Sequence, residues 1–291
     1  MHGPVLSTIA YRIRDLALEP IFRADTVLAG LAALVELNIK IFGAIMKRVV
    51  WSAAIALLVS AMLWQVEAGA PVKVSGIIDV KSAVTEAKAK VEKLDASVAD
   101  EETFAKAVKE KVVAQDAGVL ACLAQAITEH EKGKATGIAG PALRDAALVL
   151  VKAKKLADAQ AALKTVHAAL KGEGKGETEH AWNKLINMHR MMEEMNYRTS
   201  RLRRSLKRPR KIEADAGHAT VLTVMALAME ADTHEVKKKE EIPIWNKMSR
   251  EYSTGMSKLA KAMLDKKADV AKEIFNASAN SCKQCHEKFR D

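Results

Sequence analysis

Aromatic residues make up only 4% of this sequence, and 291 residues contain just six prolines and three cysteines. With Ala, Lys, Glu, Leu and Met abundant in their place, the composition favours helix over strand throughout and predicts an all-α protein. Also missing are a catalytic triad, a phosphate-binding loop and an acid and base pair, so an enzyme is not expected. No recognisable nucleic-acid module is present either, which removes nucleic acid from the expected partners.

The formal net charge is +10. Its densest source is "RLRRSLKRPRK" at residues 201–211, a run suited to an acidic redox partner or an anionic lipid surface and equally to a solvated helix end. The N-terminal region reads as an export signal. From Met46, "MKRVVWSAAIALLVSAMLWQVEAGA" carries Lys47 and Arg48, then an uncharged stretch to Val66, then small residues suited to cleavage. Residues 46–70 are thus a signal peptide or, since the apolar stretch is long, a membrane anchor. Residues 1–45 precede a complete signal and read as a misassigned extension.

The remaining chain is long enough for two domains. "LKGEGKGETE" at 170–179, with three glycines and alternating charges, predicts a flexible connector, so the division falls into residues 71–174 and 175–291. The second part has four stripes at three- and four-residue steps. They run from Trp182 to Leu206, from His218 to Met229, from Trp245 to Met263 and from Val270 to Phe289. Four amphipathic helices with short connections predict a four-helix bundle. The first part reads as a degenerate copy: "LAQAI" at 123–127 echoes "MALAM" at 225–229, and "LADAQAALKTVHAAL" at 156–170 echoes "KADVAKEIFNASANS" at 267–281. Continuing the second match sets Lys171, Gly174 and Lys175 opposite Cys282, Cys285 and His286, so the first copy lacks the motif that ends the chain.

That motif is "CKQCH", residues 282–286. C-x-x-C-H is the attachment sequence for c-type haem. On a helix the two cysteines stand about one turn apart, each able to form a thioether to a vinyl group, while His286 ligates iron from the same side. A zinc site needs about four ligands and no second pair lies at usable spacing. A thioredoxin-like pair needs a βαβ context, and a disulfide across a regular helical turn has the wrong geometry. Cys122, within an apolar pattern, reads as a small buried hydrophobe.

A bundle whose last helix carries this motif, followed by Phe289 and Arg290, resembles the cytochrome c′ and cytochrome c-556 family. The resemblance rests on residues 242–291, "IPIWNKMSREYSTGMSKLAKAMLDKKADVAKEIFNASANSCKQCHEKFRD", and covers about 177–291. It implies one covalently attached haem c inside one end of the bundle, with the early part of the first helix facing the iron's other side. That part offers Met188, Met191, Met192 and Met195. A basic residue a turn before the distal position, here Lys184, makes Met188 the first choice of sixth ligand and Met192 the second. Arg290 matches a basic residue near the proximal face. His189 falls off the stripe, and His218 and His234 read as structural or surface residues.

The expectation is a periplasmic mono-haem cytochrome that exchanges single electrons with redox partner proteins, its oligomeric state open between monomer and homodimer. Methionine as sixth ligand favours electron transfer. The alternative is a five-coordinate haem that binds or senses NO or CO.

Overall fold

Short polar side chains mark where the helices begin. Asp79 accepts the Ser82 N–H at 2.8 Å, Asp100 the Thr103 N–H at 2.8 Å and Asn187 the His189 N–H at 3.0 Å. Each such cap stabilises a helix by about 1 kcal/mol. Pro141 and Pro243 stand in the first turn of their helices, where no backbone donor is needed.

The computed structural model describes residues 72–177, 179–210 and 212–290, all within one compact unit spanning Val66–Asp291. The readings of 1–45 and 46–70 lie outside the described residues, as does Lys211. Among the described residues there are nine α-helices and no strand: α1 (Val80–Ser97), α2 (Glu101–Lys109), α3 (Val112–Glu129), α4 (Gly140–Lys152), α5 (Leu156–Leu170), α6 (Met188–Lys207), α7 (Ala216–Ala231), α8 (Ile242–Leu264) and α9 (Ala268–Phe289). The all-α expectation holds. None of the helices among the described residues is long and apolar enough to cross a membrane.

Helices α6 to α9 form an up-down-up-down bundle, and named contacts give its register. Ser205 donates to Asp215 at 2.6 Å and Arg198 meets His218 at 2.8 Å, which makes α6 and α7 antiparallel. Trp245 Nε1 donates to the Met229 carbonyl at 2.8 Å near the start of α8, while Lys266 just after α8 reaches Glu213 just before α7 at 3.7 Å. Trp245 meets Phe289 edge-on at 5.2 Å between ring centres, so α9 runs back along α8. Helices α1, α3, α4 and α5 neighbour one another in the same order as α6, α7, α8 and α9, with α2 inserted between α1 and α3.

The two halves share a core. Helices α1 and α3 pack against α6 and α7, and both α3 and α7 are buried nearly all round, from Asp116 to Ile127 and from Ala219 to Glu230. Their near-continuous apolar runs suit a helix enclosed on every side.

The connector between the halves, whose glycines predict flexibility, makes specific contacts with the first half. Arg144, fully buried on α4, donates to the Glu177 carbonyl at 2.6 Å and to Gln125 at 2.7 Å. Asp145 accepts the Glu177 N–H at 2.9 Å, Gln125 donates to the His180 carbonyl at 3.3 Å, and the Trp182 indole donates to Glu129 at 2.9 Å. Glycine is used here for close approach: a Cβ on Gly176 would fall 2.4 Å from the Pro141 carbonyl carbon. Composition alone misleads because these partners come from α3 and α4.

Where the halves meet, charge is buried. Lys90 on α1 pairs with Asp116 on α3 and, at 2.8 Å, with Glu194 on α6. Arg198 on α6 pairs with Glu194 at 2.8 Å, with Glu86 on α1 at 2.6 Å and contacts His218 on α7. Gln115 donates to Glu194 at 3.0 Å. Burial pushes the Glu194 carboxyl upward, but the charges of Lys90 and Arg198 and their hydrogen bonds outweigh it and hold the pKa at about 2. A carboxylate depressed in the folded state contributes stability above its unfolded pKa and loses that contribution as pH falls through the folded one. Urea titrations from pH 5 down to pH 2 are therefore expected to show a steep loss of stability across about 4.5 to 2, which Glu194→Gln flattens. Arg198→Ala, which removes one of the two cations on buried Glu194 and the partner of Glu86, is expected to cost about 3–5 kcal/mol at neutral pH.

Candidate functional site

The last turns of α9 carry the three residues that the sequence singles out. All three cysteines of the chain are free; Cys122 is fully buried in α3, whereas Cys282 and Cys285 are half-buried and His286 is exposed. Cys282 has neighbours on two other helices. The Tyr252 hydroxyl on α8 lies beside Cys282 and beside Thr199 on α6, and the Cys282 thiol donates to the Ser278 carbonyl at 3.8 Å. Burial pushes both thiols up, and for Cys285 the neighbouring Cys282 adds to the effect. Neither is an activated thiolate at neutral pH.

The end of the helix is anchored beyond the motif. Phe289 lies against Trp245, Lys288 pairs with Glu241 at 3.2 Å, and its ammonium stands 5.6 Å from the Phe289 ring centre. Arg290 caps α9 by donating its backbone N–H to the His286 carbonyl at 3.0 Å, and its side chain is exposed.

Register decides which methionines share this level. Tyr252 brings Thr199 and Cys282 together, and α6 and α9 are antiparallel. His286 lies one turn beyond Cys282, so its counterpart on α6 is one turn before Thr199, at Met195. Met192 follows one turn further on. Met188 lies about 16 Å along α6 from Thr199, against roughly 6 Å from Cys282 to His286 along α9. Met188 instead lines a cavity of about 370 Å³ with Lys184, Asn187, Asp232, Thr233 and His234 among others. Met188, Met191 and Met195 are buried and Met192 is half-buried. On this register Met195 and Met192 lie nearer the level of His286 than Met188 does. Basic spacing around Lys184 points to Met188, whereas the position of Tyr252 between Thr199 and Cys282 favours the later methionines.

His189, His218 and His234 have protein partners. His189 is exposed and pairs with Glu193 at 3.4 Å. His234 bonds to Asp232 at 2.6 Å and Glu235 at 2.9 Å, and its pKa is raised chiefly by the Asp232 hydrogen bond. His218 sits against Arg198, and burial pushes its pKa down.

Among the described residues no group of three or more His, Cys, Asp and Glu converges to hold a metal ion. Two free thiols a turn apart with an imidazole beside the second match what thioether attachment and axial ligation of a porphyrin require.

No protein-family model, curated protein or solved structure matches the chain.

In folded protein made without haem, an aromatic disulfide reagent at pH 8 is expected to titrate two thiols, and the third only after denaturant is added. Burial raises the Cys122 thiol far above its ordinary pKa and keeps reagent away. A third thiol reacting in the native state would contradict the placement of Cys122.

Proposed function

We propose that this protein is a mono-haem c-type cytochrome that carries single electrons, its haem tethered through Cys282 and Cys285 with His286 as the axial ligand. The carrying observation is the pair of free, half-buried thiols on the final turns of α9 with His286 adjacent. Bound haem supplies a one-electron iron couple.

The chain's own residues prepare the place. Cys282 donates to the Ser278 carbonyl at 3.8 Å with Tyr252 beside it, so the first tether leaves from an ordered helical turn. Trp245, itself held by the Met229 carbonyl, packs on Phe289 and keeps the end of α9 helical, which keeps His286 on the turn after Cys282. The Lys288 to Glu241 pair ties the same end to the start of α8. Arg290, a cation one turn beyond His286, suits the carboxylates a haem carries and would tune the iron through its charge.

For the sixth ligand, register supports Met195 ahead of Met192, with Met188 behind both. A thioether there raises the potential and favours electron exchange over gas binding. Export to the periplasm, where thioether attachment takes place, and soluble or membrane-bound redox proteins as partners belong to the same reading.

The test is expression of the full chain in a host that exports it and attaches haem. Mass spectrometry is expected to find one porphyrin, lost when Cys282→Ala and Cys285→Ala are combined. The reduced spectrum is expected to resist carbon monoxide, and Met195→Ala to make it sensitive while Met188→Ala does not. No porphyrin mass would sink the reading. Rapid carbon monoxide binding by the unmodified protein would instead support the five-coordinate, gas-binding alternative.

A further inference from the structure

The contacts between the halves are reciprocal. Glu86 and Lys90 stand one turn apart on α1, as Glu194 and Arg198 do on α6. Across the interface Lys90 takes Glu194 and Arg198 takes Glu86. Each acid and cation on one helix thus finds its opposite on the other, the arrangement two like surfaces make about a two-fold axis.

The central helices follow the same rule. Aligning "LAQAI" with "MALAM" sets Asp116 opposite His218 and Pro141 opposite Pro243. Asp116 contacts Lys90 within the first half, and His218 contacts Arg198 within the second. Both prolines open their helices. Helix α3 contacts α6 as α1 contacts α7, and α3 and α7 meet at the centre.

One position breaks the symmetry, and it does so in favour of unlike halves. A Cβ on Gly118 would lie 2.8 Å from Cγ1 of Ile186, which enters from the other half. The same alignment sets Thr220 opposite Gly118. A second copy of the C-terminal bundle would therefore present a β-branched threonine where Ile186 needs an empty notch, and overpacking of that kind is destabilising.

We infer that residues 72–170 are a built-in partner for the C-terminal bundle: a second bundle of like fold whose α1 and α3 cover the α6 and α7 face about an approximate two-fold axis, making the chain a single-chain pseudo-dimer. The Gly118 notch makes this half the preferred occupant of that face over another copy of residues 179–290. The inference stands whether or not the terminal motif carries haem. It gives the motif-free half a role that needs no cofactor, which is to supply the surface that encloses α7.

The experiment uses the full chain with a protease site inserted between Gly174 and Lys175, cut after folding. The two fragments are expected to co-elute on size exclusion with light scattering at the mass of the uncut protein. Gly118→Thr in the cut protein is expected to weaken their association about 10- to 100-fold. Glu86→Gln, at the edge of the charged cluster, provides an independent variant that weakens it without adding volume. Fragments that separate after cutting, or a C-terminal fragment that leaves to form a homodimer, would overturn the inference. So would equal association of the Gly118→Thr and unmodified proteins.

Discussion

The buried charges between the halves constrain everything around them. Lys90, Glu194 and Arg198 are almost wholly removed from water, and an ion in such a place is tolerated only while its partners stay in position. Because the partners come from α1, α3, α6 and α7, the cluster penalises any shift of one half against the other. It selects one docking among the many that two apolar helical surfaces would allow. Hydrophobic burial of α3 and α7 supplies the driving force, which is not directional. The ions supply the direction.

The terminal motif sits at the other extreme of burial. Its cysteines are half-buried and its histidine is exposed, at the end of a helix fixed by Trp245, Tyr252 and Lys288. A rigid support under accessible reactive groups is what covalent attachment of a large planar group needs. Helix α5, the counterpart of α9, ends at Leu170. Gly172 and Gly174 then adopt positive φ of 85° and 95°, turning the chain into the strap over α4. At that point the first half diverges from the second: the turns that would have carried a motif are spent on the connection.

Much of this was legible in the residues. The stripes from Trp182 onward specify four helices, because a period near 3.6 has only one regular solution. Pro209 ends the first stripe and Pro243 opens the third. The burial of Cys122 followed from its apolar neighbours. Two features were not legible there, for physical reasons. The segment 170–179 is polar and glycine-rich, yet Arg144 and Asp145 hold the backbone of Glu177, and a distant hydrogen-bond partner leaves no trace in local composition. On α6, Met188, Met192 and Met195 occupy one helical face, so periodicity cannot rank them.

By itself the sequence determined the helical class, the stripes of the C-terminal bundle and the chemistry available at Cys282, Cys285 and His286, since each is a property of adjacent residues on one helix. Only the tertiary structure decided that Arg144 and Asp145 hold Glu177 and that Glu86 answers Arg198 across the two halves. Those facts depend on register between helices far apart in the chain. Register is set by side chains meeting in space, such as Tyr252 with Thr199 or Ile186 with Gly118, and not by spacing along one helix.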